Sequence, residues 1–192
     1  MEELKNQLGK VCKDLTKEEL DRLFPELAYL FIKNYGIQAK GCIYLLNEIE
    51  FYFYGPNYDD IRKDSKTQQT ITYKRNSEAG CWFIHDYGVD LTFKSEDKAN
   101  AGYGGGILIR SIERKDGEKT ITGPKNCVNE LWEESVDAFS ETAPNPKIVR
   151  LENVRDAKLD EATIRITVGK NDPWKSKWRF TVAGKKVSPL KD

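Results

Sequence analysis

No stretch of this sequence approaches the roughly 20 consecutive apolar residues that a helix needs to cross a bilayer. The first residues, Met1-Glu-Glu-Leu-Lys5, are charged and lead into no apolar region, which a secretory signal would require. From these two absences we expect a cytoplasmic protein that does not associate with membranes.

Cysteine is sparse and lacks the spacing of a metal site. The four cysteines (Cys12, Cys42, Cys81 and Cys127) form no Cys-x-x-Cys pair, which argues against both a zinc site and a disulfide framework. We therefore expect the cysteines to be small, buried apolar residues. We predict no metal and no cofactor.

The chain also lacks a net charge, because 31 lysines and arginines balance 31 aspartates and glutamates. Neutrality weakens the argument for nucleic-acid binding, which normally leaves a basic footprint. The charges are segregated, however: residues 165–192 hold eight basic residues against two acidic ones, and a second basic cluster spans residues 62–75. Segregation permits one basic face, and we select Arg75, Lys175 and Lys177 from these clusters as candidate DNA contacts.

Helical patterns come first along the chain. The stretch Thr16-Lys-Glu-Glu19 has the form of a capping box, and apolar residues follow it at helical spacing. Pro25 interrupts that pattern, so we expect a break or kink there, and then a second helix that ends near Gly36. The N-terminal helical segment thus covers about 1–36.

Strands dominate the remainder. β-Branched and aromatic runs predict strands at 41–54, 81–84, 89–93, 104–112, 162–168 and 178–182. One further helix is expected at 126–139, and residues 57–70 and 94–103 have the composition of loops. The order predicts a single α+β domain over 1–192, with a mostly antiparallel sheet core at about 41–188 and peripheral helices. We expect a monomer.

Two charged residues occupy apolar strands, where burial is costly unless they are paired. Glu50 opens an aromatic run, and Arg110 lies within the Ile107–Ile112 run that follows three consecutive glycines. Because an isolated buried charge is strongly unfavourable, we expect the two side chains to meet on neighbouring strands. The pair has two interpretations: a functional site, or a buried ion pair that only fixes strand register.

A series of short motifs follows one order from residue 27 to residue 188. The segments are Glu50-Phe51-Tyr52 before Gly55-Pro56, Thr72-Tyr-Lys-Arg-Asn76, Gly80-Cys-Trp-Phe-Ile-His85, Ile107-Leu-Ile-Arg-Ser-Ile-Glu113, Gly123-Pro-Lys-Asn-Cys127, Arg165-Ile-Thr-Val-Gly169 and Trp178-Arg-Phe-Thr-Val-Ala-Gly184. In this order they resemble the alkyladenine (methylpurine) DNA glycosylase family, distantly but nearly collinearly.

The resemblance implies a curved antiparallel sheet and a specific chemistry. Such enzymes flip a damaged purine out of duplex DNA and hydrolyse its N-glycosidic bond. Glu50 matches the general base, and Arg110 matches the arginine that holds it. Tyr52 and His85 match the rings that sandwich the flipped base, and Asp90 falls near a pocket asparagine.

The chain departs from the family in two places. The family's Asp-x-Ala-Ser-His stretch is replaced by Asn57-Tyr-Asp-Asp-Ile-Arg62, without histidine, and the hairpin that carries an intercalating tyrosine is short, with Tyr87 as its remnant. The partner is accordingly duplex DNA with a damaged purine or a small nucleobase ligand. Two alternatives to DNA repair stay open. One is a binding protein or hydrolase that takes a nucleobase, nucleoside or RNA in the same pocket. The other is a non-enzymatic module with a structural Glu50–Arg110 pair.

Overall fold

The computed structural model describes residues 2–58, 78–94, 103–132, 145–166 and 175–188. These ranges contain three helices: α1 (Glu2–Gly9), α2 (Lys17–Asn34) and α3 (Pro124–Leu131). They also contain eight strands: β1 (Tyr35–Ala39), β2 (Cys42–Tyr54), β3 (Trp82–His85), β4 (Gly88–Thr92), β5 (Gly104–Arg114), β6 (Thr120–Thr122), β7 (Lys147–Arg150) and β8 (Arg179–Thr181).

Helix α2 begins at the predicted capping box and continues through Pro25. Thr16 Oγ1 accepts a hydrogen bond from Glu19 N at 3.3 Å, and Glu19 Oε2 accepts one from Thr16 N at 2.8 Å. The prediction of two helices was wrong, because α2 is one helix to Asn34. Phe24 and Leu27, on either side of the proline, are fully buried. Each such burial contributes about 1.5–3 kcal/mol, which together with the rest of the buried helix face offsets the ~3 kcal/mol cost of an internal proline.

The strands form one antiparallel sheet in the order β3-β4-β5-β2-β1-β7, with β6 paired to β5 and β8 paired to β2. The ladder between β2 and β5 is the longest, and its register shifts around Glu48. Trp82 on β3 donates its indole N–H to Pro146 O, just before β7, at 2.7 Å. The two end strands therefore approach each other, so the sheet is curled, and the fold is the single α+β domain that the sequence predicts.

The central strands separate an aromatic face from a charged face. Phe51 projects toward α2, where its ring centroid lies 4.5 Å from that of Phe24 and 5.4 Å from that of Phe180. Glu50 and Tyr52 alternate with Phe51 and so project to the opposite face. There the start of α3 covers the sheet, since a Cβ built on Gly88 would lie 2.7 Å from Pro124 Cβ.

Two predicted elements differ from the structure in their described parts. The helix expected at 126–139 begins at Pro124 and ends at Leu131, where the backbone of Trp132 is extended with ψ of 150°. Within 162–166, the described part of the strand expected at 162–168, there is only an isolated bridge between Thr163 and Arg179. Strands β1, β6 and β7 were not predicted, because each has at most five residues and follows directly on a helix or turn signal. The loops expected at 57–70 and 94–103 fall mostly outside the described residues.

The cysteines are free thiols but are not uniformly buried. Cys127 is buried, Cys12 and Cys42 are half-buried, and Cys81 is exposed. The expectation of burial was therefore wrong for Cys81, which precedes the edge strand β3. Within the described ranges, no helix combines the length and the apolar content that crossing a membrane requires.

Glu113 joins the far end of β5 to two later segments of the chain. Its Oε1 lies 2.8 Å from Arg155 Nη2 and 2.9 Å from Lys185 Nζ. Burial by itself would raise the pKa of Glu113, but Lys185 and Arg155 hold that pKa below its ordinary value. A carboxyl whose pKa is lower in the folded protein stabilises the fold above its unfolded-state pKa, and this contribution is lost as the pH falls.

We predict that Glu113→Gln lowers the free energy of unfolding at pH 7 by about 1–3 kcal/mol, the usual contribution of charge-assisted hydrogen bonds. The difference from wild type should shrink below about pH 4.3, as the wild-type carboxyl becomes protonated. Urea denaturation at pH 7 and pH 3 measures this difference in the free energy of unfolding. Glu118→Gln is the control, because the Glu118 side chain is 67% exposed. An equal loss at both pH values would contradict the account.

Candidate functional site

Three neighbouring strands place charged side chains on one face of the sheet. In the register, Glu50 on β2 lies opposite Leu108 on β5, which lies opposite Asp90 on β4. Directly opposed residues of antiparallel strands project to the same face, so two carboxylates flank Leu108. Arg110 shares that face, and its Nη1 lies 3.1 Å from Glu50 Oε2. The structure therefore contains the expected contact between Glu50 and Arg110.

Glu50 is fully buried and accepts three hydrogen bonds. Oε2 accepts one from the Tyr52 hydroxyl at 2.7 Å and one from Arg110. Oε1 accepts one from Ile166 N at 2.6 Å. A carboxylate offers about four acceptor positions. Among the residues that the structure describes, one such position on Oε1 has no donor.

Glu48, two residues earlier, bridges two arginines. Its Oε1 accepts from Arg110 Nε at 3.1 Å and from Arg179 Nε at 2.8 Å, and its Oε2 accepts from Ser188 N at 2.6 Å. Both arginines are 5% exposed and Glu48 is 0% exposed. The cluster of Glu48, Glu50, Arg110 and Arg179 is thus a charge-balanced buried network, in which each removal leaves an uncompensated charge.

The network keeps Arg110 charged and leaves the neighbouring cysteine unreactive. Burial by itself would lower the pKa of Arg110, but Glu50 and Glu48 raise it above its ordinary value. On the covering helix α3, burial raises the pKa of the Cys127 thiol to about 12, and the Glu48 carboxylate adds to that rise. Because only a thiolate is a good nucleophile, the Cys127 thiol is not a candidate nucleophile.

Tyr52 is held between Glu50 and a third buried arginine. The Arg165 guanidinium carbon lies 4.8 Å from the centre of the Tyr52 ring and 5.2 Å from that of the Trp178 ring. Arg165 Nη1 also donates to Phe51 O at 3.1 Å. Tyr52 is 1% exposed. Arg165 thus covers one face of the Tyr52 ring.

His85 and Asp90 lie on the β3–β4 hairpin beside this cluster. His85 Nδ1 accepts from Tyr87 N at 3.2 Å, and His85 Nε2 lies 3.0 Å from Asp90 Oδ2. The hydrogen bond to Nδ1 and the proximity of Asp90 place the imidazole at the hairpin turn beside the charged face of the sheet.

The hairpin turn itself is exposed. Asp86 and Tyr87 form a two-residue connection between β3 and β4, as short as the sequence indicated. Tyr87 is 53% exposed and Ile84 is 48% exposed. An aromatic and an aliphatic side chain thus project into solvent at the end of the hairpin nearest His85.

The glycine run at the start of β5 serves strand packing at this site. A Cβ on Gly105 would lie 2.1 Å from Tyr52 O, and one on Gly106 would lie 3.0 Å from Asp90 Cβ. Real Cβ atoms do not approach so closely. The glycines therefore let β5 approach β2 and β4 beside Tyr52 and Asp90. Glycine in a strand permits close approach of a ligand or of another backbone, and here it is the backbone that approaches.

The candidate DNA contacts are only partly described. Lys175 and Lys177 are exposed, and Lys177 Nζ lies 2.9 Å from Glu161 Oε1. Arg75 lies outside the described residues, as does the whole basic stretch at 62–75. A shared basic face therefore stays a prediction.

Sequence reasoning missed two members of the network, Glu48 and Arg179, and also the neighbouring Arg165. Glu48 lies two positions before Glu50, the spacing that puts two strand side chains on one face. Arg165 and Arg179 stand between apolar residues in Ile164-Arg-Ile166 and Trp178-Arg-Phe180. The signal used for Arg110, a lone charge in an apolar run, was present at each of them.

Comparison with known proteins gives one informative relative. An uncharacterized protein of Acanthamoeba polyphaga mimivirus is 31% identical over 137 residues, which cover 62% of this chain and 63% of the relative. The match thus spans less than two thirds of the viral protein. No family model matches the chain.

We predict that Glu48→Gln destabilises the protein by about 3–5 kcal/mol, because it leaves Arg110 and Arg179 buried with too little negative charge. Chemical denaturation at pH 7 measures the change. Glu161→Gln is the control and should have little effect, since the Glu161 side chain is 84% exposed. Wild-type stability in Glu48→Gln would show that the network is not a structural requirement.

Proposed function

We propose that this protein is a DNA glycosylase-like hydrolase that cleaves the N-glycosidic bond of a flipped, damaged purine. Glu50 acts as general base and Arg110 positions it. The observation that carries the proposal is the state of Glu50: three donors hold a buried carboxylate in one orientation, and within the described ranges one acceptor position on Oε1 has no donor. A fixed carboxylate with one open position is what activation of a single water molecule requires.

The charge at Glu50 suits the reaction. Breaking an N-glycosidic bond passes through a sugar with oxocarbenium character, which a neighbouring carboxylate stabilises. Glu50 accepts the proton of the attacking water as the water oxygen bonds to the anomeric carbon and the base leaves. Arg110, held by Glu48 as well as by Glu50, keeps the carboxylate from rotating.

The hairpin supports a nucleic-acid substrate. Exposed Tyr87 and Ile84 resemble the apolar wedges that enter a base step and occupy the space of a flipped nucleotide. His85, whose Nδ1 is held by the Tyr87 N–H, offers its ring face for stacking.

A structural role is the second candidate function, and the depth of the cluster favours it. Glu50 and Glu48 are equally buried, and each accepts three hydrogen bonds. In this alternative Glu50 fixes the register of β2 and β5 and performs no chemistry.

We predict that Glu50→Gln abolishes base release and leaves substrate binding largely intact. Glutamine is nearly isosteric but cannot take up a proton, and removing a general base costs on the order of 10²–10⁴ in rate. The assay is base release from duplexes that carry alkylated purines or hypoxanthine, with binding measured separately by fluorescence anisotropy. Glu161→Gln is the control for a carboxylate that only affects the surface.

Wild-type protein that releases no base from any of these duplexes would refute the repair function. Equal rates in wild type and Glu50→Gln would refute the role of Glu50. The structural alternative would be established by two results together: wild-type protein has no activity, and Glu50→Gln loses several kcal/mol of stability.

We further predict that His85→Ala weakens duplex binding by about 1–3 kcal/mol, the usual contribution of one stacked base. The measurement is a titration of a duplex that contains a damaged purine, at low salt. Tyr29→Ala is the matched control, because Tyr29 is an exposed aromatic residue on α2. Unchanged affinity in His85→Ala would remove His85 from the base-binding site.

A further inference from the structure

A cleft lies where the two end strands of the sheet, β3 and β7, approach each other. It has a volume of about 960 Å³ and is bordered by α1, by residues 78–82 and by β7. Its apolar lining comprises Leu4, Leu8, Ala79, Trp82, Leu91 and Ile148. The Trp82–Pro146 hydrogen bond joins its two sheet-side walls. None of these residues contacts Glu50 or Arg110 in the network described above.

The cleft runs along the edge of β7. Three consecutive residues, Lys147, Ile148 and Val149, all line it. Successive side chains of a strand project to opposite faces. A cleft on one face of β7 would be lined by every second residue, so a cleft lined by all three must lie along the edge of the strand. Among the described residues, β7 pairs with β1 alone. An unpaired edge beside an apolar cleft is a template for an added strand.

The hydrogen-bond pattern identifies which backbone groups face that edge. Leu151 N donates to Asn34 O at 2.8 Å, which makes the pair before Tyr35–Arg150 a hydrogen-bonded one. Hydrogen-bonded and non-bonded pairs alternate in antiparallel ladders. Arg150 and Ile148 therefore belong to non-bonded pairs with β1. Their N–H and C=O groups point outward, toward the cleft side.

The charges around the cleft indicate which kind of strand can bind there. Four lysines border the cleft, Lys5, Lys10, Lys94 and Lys147, against two glutamates, Glu2 and Glu78. All four lysines are exposed. A second copy of β7 would bring Lys147 and Arg150 against their own like charges, which destabilises pairing. An acidic strand would instead be attracted.

We propose that this cleft binds an extended peptide segment of a partner protein, in which acidic residues alternate with apolar ones. The peptide adds a strand to the outer edge of β7 through Ile148 and Arg150. Its apolar side chains enter the cleft against Trp82 and Leu8, and its carboxylates meet the lysines. β7 has four residues, so a short segment satisfies the edge. The site is independent of Glu50 and of the proposed hydrolase activity.

The test uses the whole chain and synthetic fluorescein-labelled octapeptides. An alternating Glu-Val peptide should bind, as measured by anisotropy, and binding should weaken as salt is raised. An alternating Lys-Val peptide has the same strand propensity and the opposite charge, and it should bind at least about ten-fold more weakly, as like-charge juxtaposition across an interface costs several kcal/mol. In hydrogen exchange, the amides of Ile148 and Arg150 should slow on addition of Glu-Val peptide, while that of Val149 is already protected by β1.

Two variants distinguish the contribution of the lysine charge to peptide binding from that of the backbone hydrogen bonds at the edge of β7. Lys147→Glu should weaken Glu-Val binding about five-fold, the scale of one exposed ion pair. Lys158→Glu is the control, because Lys158 is an exposed lysine outside the cleft. Ile148→Pro removes an outward N–H without removing a bond to β1, and should weaken binding by a similar factor while the fold persists. Equal affinity for both peptides, or binding without added protection at Ile148 and Arg150, would overturn the proposal. Concentration-dependent dimerisation with the same protection would assign the edge to a second copy instead.

Discussion

The fold depends on one buried carboxylate, that of Glu48. It accepts hydrogen bonds from Arg110 on β5, Arg179 on β8 and the backbone of Ser188. Segments more than 130 residues apart in the chain are thereby joined at one point. Taking a carboxylate and a guanidinium out of water costs several kcal/mol per ion. The arrangement persists only because every partner is present at once, so the pairing of β2 with both β5 and β8 is cooperative.

The candidate site inherits its geometry from that constraint. Arg110 contacts both Glu48 and Glu50. Glu48 therefore helps to fix the position of Glu50 through Arg110, without contacting Glu50 itself. On the other side of β2, the stacking of Phe51 on Phe24 anchors the strand against α2. One strand therefore carries an apolar anchor and a charged cluster on alternate residues. Any movement of Glu50 would disturb both.

Several parts of this arrangement could be predicted from the sequence. The capping box of α2, the long strands β2 and β5, and the contact of Glu50 with Arg110 follow from local pattern and from the cost of an unpaired buried charge. The short strands β1, β6 and β7 could not be predicted, since three to five residues carry too little periodicity. The break predicted at Pro25 was wrong for a related reason. The cost of a proline inside a helix follows from the sequence, but the burial of the helix face that offsets this cost depends on packing against the sheet.

The sequence by itself determined which residues must find partners, because Glu48, Glu50, Arg110, Arg165 and Arg179 all lie in apolar runs. Only the tertiary structure decided the pairing: Glu48 bridges two arginines, Glu50 shares one of them, and Arg165 stacks on Tyr52 and Trp178. The physical reason is that charge and hydrophobicity are properties of single residues and their neighbours in sequence. Which opposite charge lies within hydrogen-bond distance depends on the strand register, a bulge and the return of the chain from residues far away.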